Sequence, residues 1–208
     1  DIGKEYEQRM PISEYYEWQR RIIRKIYVRL KDTGSLCWQV GNYVDNGKIL
    51  PLDIELAPIF KELGMSLRNR IIWHFGHFKG PNKGKLSGNP LGKNPEDVWE
   101  IPNVKSNHIE KTIHPCQFPV GLIERLILSL SNEGSLIFDP FAGVASSGVA
   151  ALANGRHFWG CEIMPEYIEV GKDRLINTLK GTEKYRPIEQ PLYNHKNSRL
   201  SHYPEEWK

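Results

Sequence analysis

The sequence predicts an α/β protein built on a doubly wound, mostly parallel sheet, and three observations carry that prediction. A short run read as a buried strand, Ser135 to Phe138, enters a tight turn at Gly143, and a small-residue helix from Ser146 to Asn154 follows it. His157 to Cys161 then supplies a second strand after a crossover short enough to keep the two strands adjacent and parallel. Asp139 and Glu162 therefore fall at the carboxyl ends of neighbouring strands, the edge at which open α/β sheets bind ligands.

The other elements follow in chain order. A helix begins after Pro11, with Tyr15, Trp18, Ile22 and Ile26 at helical spacing as its buried stripe and a run of basic residues from Arg20 to Lys31 on its wet side. Ser35 to Val40 alternates like a strand ending at Gly41-Asn42, and Leu52 to Leu63 reads as a helix with Pro58 as an irregularity inside it. Leu67 to Trp73 is a further strand candidate. Val120 to Leu130 is an amphipathic helix before the first strand of the glycine-turn unit, and Glu166 to Leu179 is a helix after its second. Residues 1–180 are expected to form one domain, and 181–208 an extended, Pro-rich and aromatic tail packed on it.

The glycine turn has two readings on its residues alone. It is a strand-to-helix turn and nothing more, or it is the floor of a nucleoside site, with Gly143 admitting a ligand close to the backbone and Glu162, nineteen residues on, reaching the hydroxyls of a ribose. A pyrophosphate is disfavoured in either case. One glycine stands between Asp139 and Ser147, no phosphate-loop lysine is present, and bulky Phe141 beside an acid suits a cationic, adenosine-like ligand better than a polyphosphate.

The run from Asp139-Pro140-Phe141-Ala142-Gly143 through Ser147, Ala150-Ala151, Gly155-Arg156 and Gly160-Cys161-Glu162 to Glu166-Tyr167 resembles the cofactor half of the amino-methylating DNA methyltransferases. Those enzymes move a methyl group from S-adenosylmethionine to adenine N6 or cytosine N4. The element His114-Pro115-Cys116-Gln117-Phe118-Pro119 resembles the His-Pro-x-Gln-x-Pro segment of the same family, and Trp99-Glu100-Ile101-Pro102 the short stretch before it. Family members commonly carry Gly at the place of Ala145, and Thr at the places of Cys116 and Ser147. In the first half, Ile2 to Glu7, Leu30-Lys31, Gly34-Ser35 and Arg70 to Trp73 are similar to members whose target-base half precedes the cofactor half.

The resemblance implies an S-adenosylmethionine-dependent methyltransferase fold with permuted motif order. It implies that His114, Pro115 and Gln117 enclose the methionine end of the cofactor, with Cys116 in the same stretch. By the same likeness Phe141, Ala142 and Gly143 line the centre, Glu162 holds the ribose, and Asp139 lies near the donor's ammonium group. The catalytic side chain remains unassigned, because the Asp/Ser/Asn-Pro-Pro-Tyr/Phe segment that the family places just before the equivalent of Ile2 is absent from these residues. The chain is expected to begin just after that segment, and a recognition insert is expected to be missing near residues 77–78.

Double-stranded DNA is the implied substrate, with adenine N6 favoured over cytosine N4 by the likeness to members that carry Trp-His-Phe-Gly. A small-molecule or RNA methyltransferase and a noncatalytic DNA-binding module are the competing classes. Residues 74–95 hold Lys79, Lys83, Lys85 and Lys93 with no acid among many Gly and Pro, and so read as the start of a basic loop spanning 74–113 that suits phosphates. His74 and His77 join those lysines as candidate DNA contacts. At 208 residues, 39% hydrophobic, 25% charged and net +3, the chain suits a soluble globular domain that tolerates an acidic partner. It has no apolar run of membrane length. Its three isolated cysteines, of which Cys37 and Cys161 are expected to be buried, lack metal-ligand spacing and point to a reduced, cytoplasmic setting, and the family resemblance implies a bacterial or phage-encoded protein. No metal is expected. A cognate restriction enzyme is a possible partner by association with the family, and the sequence leaves oligomeric state open.

Overall fold

The computed structural model describes residues 10–45, 47–74 and 97–186. The chain divides into two units, Asp1–Arg70 and Ile71–Lys208.

In the first unit, α1 (Ile12–Tyr27) and α2 (Leu52–Glu62) flank a hairpin of β1 (Asn42–Asp45) and β2 (Lys48–Pro51). Ile23, Leu56 and Ile59 form its buried centre, with Tyr16, Trp38, Val40, Phe60 and Leu63 packed around them. The stripe of α1 is thus turned by one residue from the expected one. Gln19 and Ile23 are fully buried, while Tyr15, Trp18, Ile22 and Ile26 lie half-buried along its margins. Polar Gln19 is tolerated inside because its Oε1 accepts the Trp38 indole N–H at 3.0 Å. Pro58 lies within α2, as the sequence predicts.

The strand expected at Ser35 to Val40 makes no ladder among the described residues; Trp38 and Val40 pack on the core instead. The ladder forms further on, with Tyr43 opposite Leu50 and Val44 opposite Ile49. Gly47 supplies the positive φ of the turn, at 76°. Asn46-Gly47 between two apolar pairs is a strong hairpin signal that the strand reading of Ser35 to Val40 obscures.

The second unit contains β3 (Ile72–His74), β4 (Val98–Glu100), α3 (Val120–Leu130), β5 (Leu136–Asp139), α4 (Ser146–Ala153), β6 (His157–Gly160) and α5 (Pro165–Leu179). β3 pairs with β4 and β5 with β6, both parallel, with Trp73 opposite Trp99 and Asp139 opposite Gly160. Strand β4 lies inside the span read as a basic loop, and only the end of the Leu67 to Trp73 candidate pairs.

Val120, Ile127, Val149, Ala150 and Ala151 form the core where α3 and α4 meet, with Ile137, Phe158 and Tyr185 packed on it. Strand β5 is not buried on both faces. Ile137 and Phe158 turn inward, whereas Leu136 is 60% and Trp159 61% exposed, because successive strand residues face opposite sides and α4 covers one of them. Cys37 and Cys161 are likewise exposed rather than buried. Cys161 falls just past the end of β6, where the chain leaves the sheet.

The close seat of α4 rests on Gly148. A Cβ there would lie 2.5 Å from Leu175 Cδ2 and 2.6 Å from Phe158 Cδ1. Helix propensity favours Ala over Gly by about 1 kcal/mol, but overpacking a tight core costs about 1–3 kcal/mol. Gly148→Ala should therefore be a net loss of about 1 kcal/mol, read by urea unfolding; a gain in stability would show that the helix seats with room to spare.

Candidate cofactor site

Two walls face each other at the carboxyl edge of β5 and β6. The first is the turn after β5, built on carboxylates. Asp139 Oδ1 accepts the Phe141 amide at 2.9 Å, and its Oδ2 accepts the Ser147 hydroxyl at 2.6 Å, so one acid ties the start of the turn to the first turn of α4. Glu162, just past β6, accepts the Gly143 amide on Oε2 at 2.9 Å and the Ile163 and Met164 amides on Oε1 at 2.8 and 2.9 Å. Backbone bonds from Ala142 N to Cys161 O and from Cys161 N to Asp139 O, 2.8 and 2.9 Å long, continue the strand pairing into the turn.

Gly143 sits at φ 52° and Ala145 at φ 59°, ψ 39°. Ala145 is the sole non-glycine residue with positive φ among the described residues, at the position where the resembled family commonly carries Gly. The left-handed conformation costs an alanine roughly 1–2 kcal/mol. Burial of its methyl returns about 0.8 kcal/mol, and its 4% exposure shows that the methyl is fully used.

The second wall is the loop from Glu110 to Pro119. Gln117 holds it closed: its Nε2 donates to Glu110 O at 2.7 Å, while its Oε1 accepts the Thr112 amide and hydroxyl at 3.1 and 2.8 Å. His114 Nδ1 accepts the Cys116 amide at 3.2 Å, which leaves Nε2 as the protonated nitrogen of the neutral ring. Its ring meets Tyr167 edge-on, with centroids 4.6 Å apart. A Cβ on Gly143 would stand 3.2 Å from His114 Nε2, so the bare glycine keeps the gap between the walls open.

The pocket between the walls is lined by seven of the nine expected cofactor residues: His114, Cys116, Gln117, Asp139, Phe141, Ala142 and Gly143. Pro115 and Glu162 do not line it; Glu162 stands behind Gly143, one hydrogen bond away. Phe118, Ile123, Val144, Ser146 and Ser147 complete the lining and were not singled out as site residues. For Ser147 the sequence signal is a hydroxyl in the first turn of the helix that follows the acidic strand end, eight residues after Asp139.

The donor set suits a hydroxylated cation. The two acids bring negative charge, and a carboxylate has about four lone-pair sites, so Glu162 retains one after its three amides. Phe141, 51% exposed, offers an apolar face. A phosphate finds the Phe141 and Gly143 amides already committed to carboxylates. Among the described residues no group of three or more His, Cys, Asp or Glu could hold a metal.

Of the expected DNA contacts, His74 lies exposed at the end of β3, opposite Glu100 in register. Neighbouring Trp73 is half-buried: its indole donates to Ile101 O at 2.7 Å and its ring packs edge-on against Phe118. His77, Lys79, Lys83, Lys85 and Lys93 lie outside the described residues.

Burial, first, lowers the pKa of His114 from 6.5, and Lys111 adds to that, while Glu162 opposes them. The folded chain therefore binds a proton at His114 less readily than the unfolded chain does. Its contribution to stability is complete above the ordinary histidine range and is lost as pH falls through 6.5 toward the folded value. Urea unfolding from about pH 8 to about pH 5 should show this loss, and His114→Gln should reduce it, leaving the part due to His108, whose pKa burial also lowers. Equal pH dependence in both proteins would remove His114 as its source.

The DNA methylase family model matches residues 76–173. The chain is 38% identical to the type II methyltransferase M.BglII of Bacillus subtilis, over 82% of this chain and 59% of that protein. It is 32% identical to the type II methyltransferase M.ScaI of Streptomyces caespitosus, over 84% of this chain and 71% of that one. It thus spans about three fifths to seven tenths of these relatives' lengths. TTHA0409 of Thermus thermophilus, solved in complex with S-adenosyl-L-methionine, shares the fold at TM-score 0.62 and 23% identity, over 82% of this chain and 80% of that one. With the parallel strand pairs, the glycine turn and two relatives of this similarity, the chain belongs to the amino-methylating, N6-adenine or N4-cytosine, DNA methyltransferase family.

Proposed function

We propose that this chain binds S-adenosylmethionine in the pocket between His114 and Gly143 and serves methyl transfer to an exocyclic amino group of double-stranded DNA, with adenine N6 as the favoured acceptor. The observation that carries the reading is the pair of strand-end carboxylates, Asp139 and Glu162, each already braced by backbone amides, around a turn with no Cβ at its closest point. Their negative charge is set in place by the fold and needs no rearrangement when a cation arrives.

When bound, S-adenosylmethionine supplies a methyl carbon made electrophilic by the sulfonium. The residues of this chain orient it. Through its remaining lone-pair site Glu162 would accept a ribose hydroxyl, and Asp139 would face the ammonium group, while His114 would hold the methionine end and Phe141 the centre of the ligand. A neutral His114 avoids adding a second positive charge beside the sulfonium. Proton acceptance from the base amine is assigned to none of these side chains. DNA is favoured over a free nucleobase by the family, and a base within a duplex must leave the stack to reach such a pocket. The reaction would take place in the cytoplasm of a bacterium or of a phage-infected cell.

The complete protein, incubated with labelled S-adenosylmethionine and mixed-sequence DNA, should yield labelled N6-methyldeoxyadenosine after digestion and nucleoside mass analysis. N4-methyldeoxycytidine instead would move the acceptor to cytosine, and cofactor binding without any methylated nucleoside would support a noncatalytic module. Asp139→Asn should weaken calorimetric affinity for S-adenosylmethionine by about tenfold, the scale of one lost charge contact of roughly 1.4 kcal/mol. Unchanged affinity would remove Asp139 from the site.

A further inference from the structure

We infer that the segment Glu183–Arg186 is a strap that sets the width of the cofactor pocket, with Glu110, Arg174 and Glu183 as its positioning residues. The inference rests on the cofactor reading of that pocket and deepens it.

The strap reaches both walls through buried charges. Arg174, on α5, is 5% exposed; its Nε donates to Glu183 Oε1 at 2.8 Å, and its Nη1 to Val144 O at 2.7 Å and Ser146 Oγ at 3.2 Å. One guanidinium thus joins the strap to the glycine-turn wall. Glu110 is 2% exposed, and its two oxygens accept amides from segments far apart in sequence: Val120 at 2.8 Å and Arg186 at 3.0 Å. Its own carbonyl takes the Gln117 side chain that closes the His114 wall. Between these two attachments Tyr185 packs on the core of α3 and α4, so the strap is anchored in the middle as well as at its ends.

Buried ions of this kind are poor devices for stability, because desolvation offsets much of their attraction. Their geometry is better suited to holding distances. The distance held here is the one that brings His114 Nε2 to 3.2 Å from the place of a Gly143 Cβ. A loosened strap lets the two walls part, and a cofactor pressed between His114 and the turn loses contact with one of them.

The test uses the complete protein and Glu183→Ala, Glu183→Gln and Arg174→Lys variants, with three readouts: S-adenosylmethionine affinity by calorimetry, thermal unfolding without ligand, and the NMR titration of His114. Glu183→Ala should bind about tenfold more weakly, on the scale by which small misplacement of a positioned group is felt. Glu183→Gln, which still accepts the Arg174 hydrogen bond, should recover most of that loss. In the alanine variant His114 should titrate closer to an ordinary histidine as its wall opens, and DNA affinity should not change. Should Glu183→Ala fail to fold, Arg174→Lys keeps the charge but cannot span Glu183 and Val144 together, and should weaken cofactor binding several-fold.

Folded variants that bind S-adenosylmethionine like the parent, with His114 titration unmoved, would overturn the strap and reduce Glu183 to a residue of stability alone. A parent protein that does not bind the cofactor would instead overturn the proposed function itself.

Discussion

The hydrogen bond from the Gly143 amide to the Glu162 carboxylate is the constraint on which the rest of this molecule depends. It crosses nineteen residues to fasten the turn after one strand to the end of the next, so that neither can shift without the other. A charge-assisted bond of this kind contributes about 1.5–3 kcal/mol, and here its stiffness matters as much as its strength. It braces the turn in which Gly143 takes its positive φ of 52°, and with the Ile163 and Met164 amides it leaves Glu162 one lone-pair site.

Around that bond the unit uses side-chain acids where many ligand turns use free backbone donors. Asp139 and Glu162 consume the Phe141 and Gly143 amides of the turn, and Glu110 consumes those of Val120 and Arg186. The outcome is a pocket with acceptors to spare on its turn wall. Such a wall repels phosphate and attracts a hydroxylated cation, which is why the same arrangement that stiffens the fold also selects the class of ligand. Burial has a cost at Glu110, whose pKa rises mainly through desolvation, and both of its oxygens are satisfied by backbone donors in compensation.

Much of the second unit was legible in the residues. Helix α3 spans the predicted Val120 to Leu130, and β5, α4, β6 and α5 fall within a residue or two of their predicted bounds, because glycines, prolines and small residues punctuate this region unambiguously. The first unit was less legible. Trp38 and Val40 look like strand residues but serve the core directly, and the face of α1 turned by one position because Gln19 found an indole partner that no hydropathy pattern can register. Three-residue strands such as β3 and β4 carry too few side chains for a period of two to show.

The sequence by itself determined the turn, its acids and their spacing, since a glycine at the end of a strand and a carboxylate one crossover later are local facts. Tertiary structure decided what each acid holds. Nothing in the residue order pairs Glu110 with Arg186, 76 positions away, or Arg174 with Val144 and Glu183 at once. Those partners are chosen by which donors the packing of α3, α4 and α5 leaves unsatisfied in the interior, a condition that exists only when the chain is folded.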